Sequence, residues 1–444
     1  MNTTDTIAAP ASGTGGAVTI IRISGPDALS AAAAVWQGKG RLDAPENCRK
    51  MLLGKIGNDP ALAVYMKAPA SYTGDDVVEL QCHGGSAACK AALEAVMQAG
   101  CRLAEPGEFT FRAFVNGKVD LTQAEAVADL VGSGSDAARR LAEAQLAGGL
   151  RDRITSLYDR VTALRSECEA RLDFPDEDLD FSEAVPGDLL QVSRDIDELL
   201  ATEDIGNAMR EGVTVVLAGA PNSGKSSLLN RLFGSDRAIV SDIPGTTRDI
   251  IEVPLSLRGF PVTLNDTAGL RESDDPLERN GVERSYNAMA GARIVFYLID
   301  ASLADPSAEI AALAERQRSS FIAVWNKIDL VPGKVLPDIP GLPTVRISAA
   351  AGENISDLLD AFEAEIRRGE VGELPPVAVN ARSAALLREA QQGVAAAVGC
   401  FSDGEYELAA AELASAGRSL GLIVGKNADP DLLDEVFKNF CIGK

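Results

Sequence analysis

The chain has 444 residues, with 65 Asp and Glu against 42 Lys and Arg, a formal net charge of −23 and a single His. That length accommodates two or three domains with an ample core in each, and the acidic surface argues against a general nucleic-acid binder: it repels phosphate backbones, so RNA would be met through a local patch or a basic partner. The seven Cys are scattered and give neither a zinc pattern nor a disulfide framework, which fits a reducing cytoplasm; no signal peptide and no apolar run of membrane-spanning length is seen.

Residues 1–117 read as an α+β domain. Short β-rich runs at Ala17–Ile23, Leu62–Lys67 and Val77–Gln81 accompany two Ala-rich helical candidates. Residues 118–211 read as helical. There Leu146, Leu150, Ile154, Leu157, Val161, Leu164, Cys168 and Leu172 recur three or four apart, as one face of a long amphipathic helix. The acidic stretch Asp173–Glu183 reads as a solvated connector. Residues 212–368 form an α/β segment, taken up below. Residues 369–444 return to helix, with an Ala-rich region from Arg382 to Phe440 punctuated by Gly393, Gly404, Gly417 and Gly425. Each helical block needs a partner for its apolar face. The two are expected to pack as one bundle, with the α/β domain inserted between them.

The α/β segment carries the chemistry. Gly219-Ala220-Pro221-Asn222-Ser223-Gly224-Lys225-Ser226 reads G-x-x-x-x-G-K-S, after an apolar strand at Val213–Ala218 and before a helical run at Ser227–Leu232. This is the phosphate loop of P-loop nucleotidases in its required context. The glycines let backbone N–H groups point at phosphate oxygens, Lys225 brings a point charge, and Ser226 can ligate Mg²⁺. Ser241-Asp242-Ile243-Pro244-Gly245-Thr246-Thr247 follows, and Thr247 is the expected second protein ligand of Mg²⁺. Asp266-Thr267-Ala268-Gly269 ends a strand at Val262–Asn265. There Asp266 would hold Mg²⁺ through water, and the Gly269 N–H would sense the γ-phosphate. Asn326-Lys327-Ile328-Asp329 follows the strand Phe321–Trp325. Its Asp can accept from both N1–H and the N2 amino group of guanine, a pair that adenine lacks, so GTP is selected. Ser348-Ala349 would close over the base. Each short motif is weak alone, but their order makes a doubly wound GTPase domain the reading. Many small GTPases place a water-orienting Gln directly after D-T-A-G; here that place holds Leu270. Arg271, Glu272, Glu278 and Arg279 are the nearby polar candidates, against the plainer reading of a solvated loop.

End to end, the chain resembles the MnmE (TrmE) family of bacterial tRNA-modification GTPases, within the TrmE-Era-EngA-YihA-Septin-like superfamily. The resemblance rests on Ile21-Arg22-Ile23-Ser24-Gly25, Ser71-Tyr72-Thr73-Gly74, Pro106-Gly107-Glu108-Phe109, Asp120-Leu121-Thr122-Gln123-Ala124-Glu125-Ala126, Asp173-Phe174-Pro175-Asp176-Glu177, the GTPase motifs and the ending Phe440-Cys441-Ile442-Gly443-Lys444. It implies an N-terminal folate-binding and dimerising α+β domain, a helical bundle and an inserted P-loop GTPase domain. It implies modification of wobble uridines at carbon 5, adding a carboxymethylaminomethyl or aminomethyl group. The work is shared with the FAD protein MnmG, which binds the tRNA, and uses a tetrahydrofolate derivative (5,10-methylene or 5-formyl form). It implies a homodimer, a larger complex with MnmG and no membrane. It implies turnover stimulated by K⁺ when two GTPase domains meet. The K⁺ ligands correspond to Asn222, Ser241, Ile243 and Thr246, and the water-orienting acid to Glu278. The folate residues correspond to Arg22, Glu79, Lys118 and Lys444. Cys441 matches the family's terminal cysteine and stands with Lys225 and Glu278 in the catalytic set. The nucleotide-contacting set runs through Asn222–Ser227, Ser241–Thr247, Asp266–Gly269, Asn326, Lys327, Asp329, Ser348 and Ala349.

Three departures from the family pattern stand out. The loop Gly13-Thr14-Gly15-Gly16 lacks the usual arginine, Cys82-His83-Gly84-Gly85 has Cys where Gly is usual, and Ala350-Ala351-Gly352 follows Ser348-Ala349 where Lys or Arg is frequent. Read without the resemblance, the folate residues are ordinary surface ion pairs. Rival readings are a ribosome-assembly GTPase, which would carry a basic RNA-binding domain, a stand-alone folate-dependent one-carbon transferase, which leaves the GTP motifs without a purpose, and a non-enzymatic switch that only recruits MnmG.

Overall fold

Alternation of buried and half-exposed residues along short strands builds the N-terminal sheet. The computed structural model describes residues 3–13, 15–173, 185–235, 252–266, 291–316, 320–368, 373–438 and 440–444. The chain divides into two compact units: Met1–Ala128 with Gln145–Ser193 and Glu389–Lys444, and Asp129–Ala144 with Arg194–Arg388.

In the first unit, β1 (Ile7–Pro10), β2 (Val18–Ser24), β3 (Trp36–Gly38), β4 (Leu52–Ile56), β5 (Asp59–Met66), β6 (Val77–His83) and β7 (Arg102–Leu103) form one sheet. Their order is β3-β4-β5-β6-β2-β1-β7, antiparallel except for the β1–β7 pair. Helices Ala28–Val35 and Ser86–Gln98 contribute Ala31, Ala32, Cys89, Ala92 and Val96 to a core with Ile21, Ile23, Val78, Leu80 and Cys82. Small alanines let these helices lie close to the strands. The opposite face carries Ile20, Gln81, Leu62 and Leu53 in register.

The long helix runs over Gly149–Asp173 and packs along Tyr406–Ile423. Leu150, Ile154, Leu157, Val161, Leu164 and Cys168 form its buried face. Two residues expected on that face do not belong to it. Leu146 closes the preceding helix Asp136–Leu146, with Gly148 at φ 99° turning the chain, and Leu172 is exposed near the helix end. The region Arg382–Phe440 resolves into helices Ala381–Ser402, Tyr406–Ile423 and Pro430–Lys438. Gly404 (φ 79°) and Gly425 (φ 84°) occupy turns, whereas Gly393 and Gly417 lie inside helices and do not break them. A Cβ at Gly393 would stand 3.0 Å from the Glu412 carbonyl, so this glycine serves close helix approach.

In the second unit, β8 (Val213–Gly219), β9 (Glu252–Leu257), β10 (Phe260–Asp266), β11 (Ile294–Asp300), β12 (Ser320–Asn326) and β13 (Thr344–Arg346) take the order β13-β12-β11-β8-β10-β9. All pairs are parallel except β9–β10. Parallel strands need cover on both faces and read as continuous apolar runs. Val215, Leu217, Leu264 and Phe296 meet Leu228, Leu232, Leu358 and Phe362 on one face, and Val216, Tyr297, Ala323 and Trp325 meet Leu313 and Leu336 on the other. β8 has β10 on one side and β11 on the other, which is the switch point where doubly wound sheets bind ligands beyond the strand ends.

Candidate functional site

The phosphate loop leaves the carboxyl end of β8. Gly219 (φ 135°), Asn222 (φ 62°) and Gly224 (φ 100°) supply its reversals. A Cβ on Gly219 would stand 2.3 Å from the Leu298 carbonyl, and one on Gly224 would stand 2.1 Å from Asn326 Nδ2. Both glycines therefore serve packing against neighbouring strands as well as loop curvature. The helix Lys225–Ser235 begins directly after the loop, aiming its positive end at whatever the loop cradles. Lys225 is buried, and its Nζ donates to the carbonyls of Gly219 (3.0 Å) and Ala220 (2.9 Å). Ser226, Ser227 and Asn222 are exposed. Ser223 is buried, and its Oγ has no hydrogen-bond partner among the described residues.

The base-reading loop is tied to this one. Asn326 is 2% exposed; its Nδ2 donates to the Ser223 carbonyl at 2.8 Å, and its Oδ1 accepts from the Ala349 N–H at 3.0 Å. Asn326 thus braces the phosphate loop and the Ser348-Ala349 loop together. Lys327 (φ 65°) extends its Nζ to Asp300 at 2.6 Å. Burial pushes the Asp300 carboxyl up, but Lys327 and Ser302 outweigh it and hold it below the usual carboxylate range. Asp329 stands exposed on the 3₁₀ turn Ile328–Leu330, free to meet a base edge. Ser348 is buried, and its Oγ accepts from the Ala351 N–H at 3.0 Å, fixing the turn that presents Ala349. Asp266 ends β10 opposite Leu217 of β8, beside the phosphate loop. Ser241 to Thr247, Thr267, Ala268, Gly269, Leu270 and Glu278 lie outside the described residues. The exposed Ser226 hydroxyl is of the oxygen type that a hard cation beside phosphates takes.

A second cluster forms in the other unit. Arg22 and Glu79 are register partners on β2 and β6, joined by Arg22 Nε to Glu79 Oε1 at 2.9 Å. The Arg22 guanidinium lies 5.4 Å from the Tyr72 ring centre and 5.6 Å from that of Phe109, within cation–π range. Arg22 Nη1 donates to the Gly443 carbonyl at 3.3 Å, and the Phe109 N–H donates to the Lys444 carbonyl at 3.2 Å. Gly443 (φ 94°) presses on β1: a Cβ there would stand 2.0 Å from the Pro10 carbonyl. The chain's last residues are thus threaded against its first strands. Cys441 is exposed in this tail. Lys118 does not join the Arg22–Glu79 pair; its Nζ donates to the Pro69 carbonyl at 3.1 Å. It lines a cavity of about 590 Å³ with Arg49, Val64, Met66 and Tyr72. Tyr72 links the two places, taking Arg22 on its ring and walling the cavity. Two cations, an aromatic wall, an aliphatic floor and a nearby carboxylate fit a flat, acid-tailed ligand such as folate.

Sequence reasoning did not single out Arg49, Tyr72 or Phe109 as site residues, although Tyr72 and Phe109 stood inside two of the motifs quoted. The two glycine loops pair with each other: the Gly15 N–H donates to the Gly84 carbonyl at 2.8 Å, and the Gly84 N–H to the Ala17 carbonyl at 3.1 Å. Cys82 is buried under the helices, on the sheet face away from Arg22 and Glu79.

A mostly parallel sheet with a phosphate loop at its switch point, tied to an Asn-Lys-x-Asp loop by that loop's buried Asn, defines a guanine-reading P-loop GTPase. Residues 121–441 match the family described as MnmE helical domain, and residues 6–118 match GTP-binding protein TrmE N-terminus. The chain is 43% identical to the tRNA modification GTPase MnmE of Symbiobacterium thermophilum, over 99% of both chains. It is 42% identical to that of Synechococcus sp. strain JA-3-3Ab, over 99% of this chain and 98% of the other. The chain belongs to the MnmE family of tRNA modification GTPases.

Proposed function

We propose that GTP hydrolysis by this chain drives, together with the FAD protein MnmG, the addition of an aminomethyl or carboxymethylaminomethyl group to carbon 5 of wobble uridines in certain tRNAs. The observation that carries the reading is the convergence of Arg22, Glu79 and the C-terminal tail, residues 421 positions apart, beside a cavity with Lys118. Arg22, Glu79, Lys118 and Lys444 hold a tetrahydrofolate derivative, which when bound supplies the one-carbon unit. Residues 1–117 act as the folate and dimer domain, 118–211 with 369–444 as the helical domain, and 212–368 as the GTPase domain. Val18 and Leu53 are 54% and 75% exposed on the sheet face that the helices leave open, which supports a homodimer through this face. The net charge of −23 supports meeting tRNA mainly through MnmG. A cytoplasmic location accords with that role.

In the GTPase domain, Lys225 and the loop N–H groups hold the phosphates, and Ser226 with Thr247 holds Mg²⁺. Asn222, Ser241, Ile243 and Thr246 hold K⁺. Both cations, when bound, oppose the negative charge of the reacting phosphates, as an arginine finger does in other GTPases. Glu278 orients water in place of Leu270, and exposed Cys441 completes the catalytic set. The test is GTP turnover in KCl and NaCl at equal ionic strength. A rate many-fold higher in KCl supports the reading, since the charge of an arginine finger is worth about 10³ to 10⁵; equal rates at a protein concentration where the dimer persists contradict it.

A further inference from the structure

Arg231 lies on the phosphate-loop helix and reaches across to the base-closing loop. Its Nε donates to the Ala349 carbonyl at 3.1 Å and its Nη2 to the Ala350 carbonyl at 2.5 Å. Gly352 (φ 81°) makes room: a Cβ there would stand 3.2 Å from Arg231 Cζ and Nη1. The same loop is gripped from the other side, where the Ala349 N–H meets Asn326 Oδ1 and Asn326 Nδ2 meets the Ser223 carbonyl. Ser348 to Gly352 is therefore clamped between two parts of the nucleotide site. A cavity of about 420 Å³ opens between helix and loop, walled by Ser227, Asn230, Arg231, Gly234, Ala349 and Ala350. Among these residues Arg231 alone carries charge, and after Ser348 the loop itself offers only three alanines and Gly352.

We propose that Arg231 is a positioning residue for guanine. It fixes the base-closing loop at the edge of the base pocket and supplies, from the helix, a cation that the loop's own sequence lacks. The proposal rests on the GTP reading. Arginine suits the task because its planar fork serves two carbonyls at once and stays charged, whereas lysine has the charge without the fork. Loss of the fork should loosen nucleotide without touching the reacting phosphate.

The experiment compares dissociation of a fluorescent GDP analogue, and KM and kcat for GTP, in full-length wild-type, R231A and R231K proteins. R231A should release GDP about five- to tenfold faster, the range expected for charged hydrogen bonds weakened by exposure. Its KM should rise while kcat at saturation moves little, R231K should recover part of the loss, and the nucleotide-free melting temperature should hold. If R231A releases GDP at the wild-type rate, the inference is overturned while the GTP reading stands. The inference is also overturned if R231A lowers the nucleotide-free melting temperature and R231K recovers nothing, since that marks a role in folding. If wild-type protein binds no GDP, the GTP reading fails and takes the inference with it.

Discussion

Asp329 stands exposed on the 3₁₀ turn Ile328–Leu330, while Asn326, three residues earlier, is buried and committed to two loops. The two residues of one motif therefore fail in different ways when changed. Asp329→Asn should weaken GTP and favour xanthosine triphosphate, whose oxygen at position 2 accepts where guanine donates; competition binding with the two nucleotides checks it, and unchanged GTP affinity would refute the assignment. Glu278→Ala should bind GTP nearly normally yet hydrolyse it about 10² or more slower. Single-turnover hydrolysis tests this, and near-normal turnover would move the role to another residue of that loop, such as Glu272. The phosphate and base motifs were legible because their residues are adjacent in sequence. The brace role of Asn326 and the curl of Lys225 back onto its own loop were not, because each depends on a carbonyl that any residue could supply. Cys82 stands where the family usually has Gly, yet strand alternation sends its side chain to the face away from Arg22 and Glu79.

At the scale of elements, the helix Glu108–Val115 carries an ion network in the same unit as the Arg22–Glu79 pair. Arg112 and Glu108 are both fully buried and meet at 3.1 Å; Arg112 also meets Asp5 at 2.7 Å, and Arg102 meets Glu108 at 2.7 Å. Removing one partner of such a buried set leaves an uncompensated charge, so Glu108→Ala should destabilise its unit by about 3–5 kcal/mol in denaturant unfolding. The same network gives a pH dependence. Burial pushes the Glu108 carboxyl up, but Arg102, the Glu105 N–H and Arg112 outweigh it and hold it below its ordinary 4.5; Arg102 holds Asp5 below 3.8. Carboxyls lowered in the folded state contribute stability that is fully present above their ordinary values. That contribution is lost as pH falls through the lowered ones. Melting temperature should therefore drop on acidification below about pH 4.5, and less steeply in Glu108→Gln; an equal slope in both proteins would refute the role. Sequence could not disclose this network, since Arg112 and Asp5 lie 107 positions apart. It did disclose the long helix Gly149–Asp173, because a packed face repeats at helical spacing, but spacing alone carried Leu146 across the turn at Gly148.

Over the whole molecule, local patterns gave the order of sheet, bundle and GTPase segments, because each has its own periodicity. They could not give the edges of the compact units. Those edges fall inside helices Leu121–Gly132, Asp136–Leu146, Val185–Leu200 and Ala381–Ser402, where hydrophobic spacing runs on unbroken. The closing of the C-terminal tail onto β1 and β2 was likewise beyond any local signal, although it brings the chain's ends into one cluster. The proposed function joins the GTPase chemistry of one unit to the cluster of Arg22, Glu79 and the C-terminal tail in the other, through one product. The most direct measurement is mass analysis of tRNA wobble nucleosides from cells lacking the chain. Aminomethyl and carboxymethylaminomethyl groups at uridine carbon 5 should be lost, and restored by the wild-type chain but not by Lys225→Ala; undiminished modification in cells lacking the chain would contradict the proposed function.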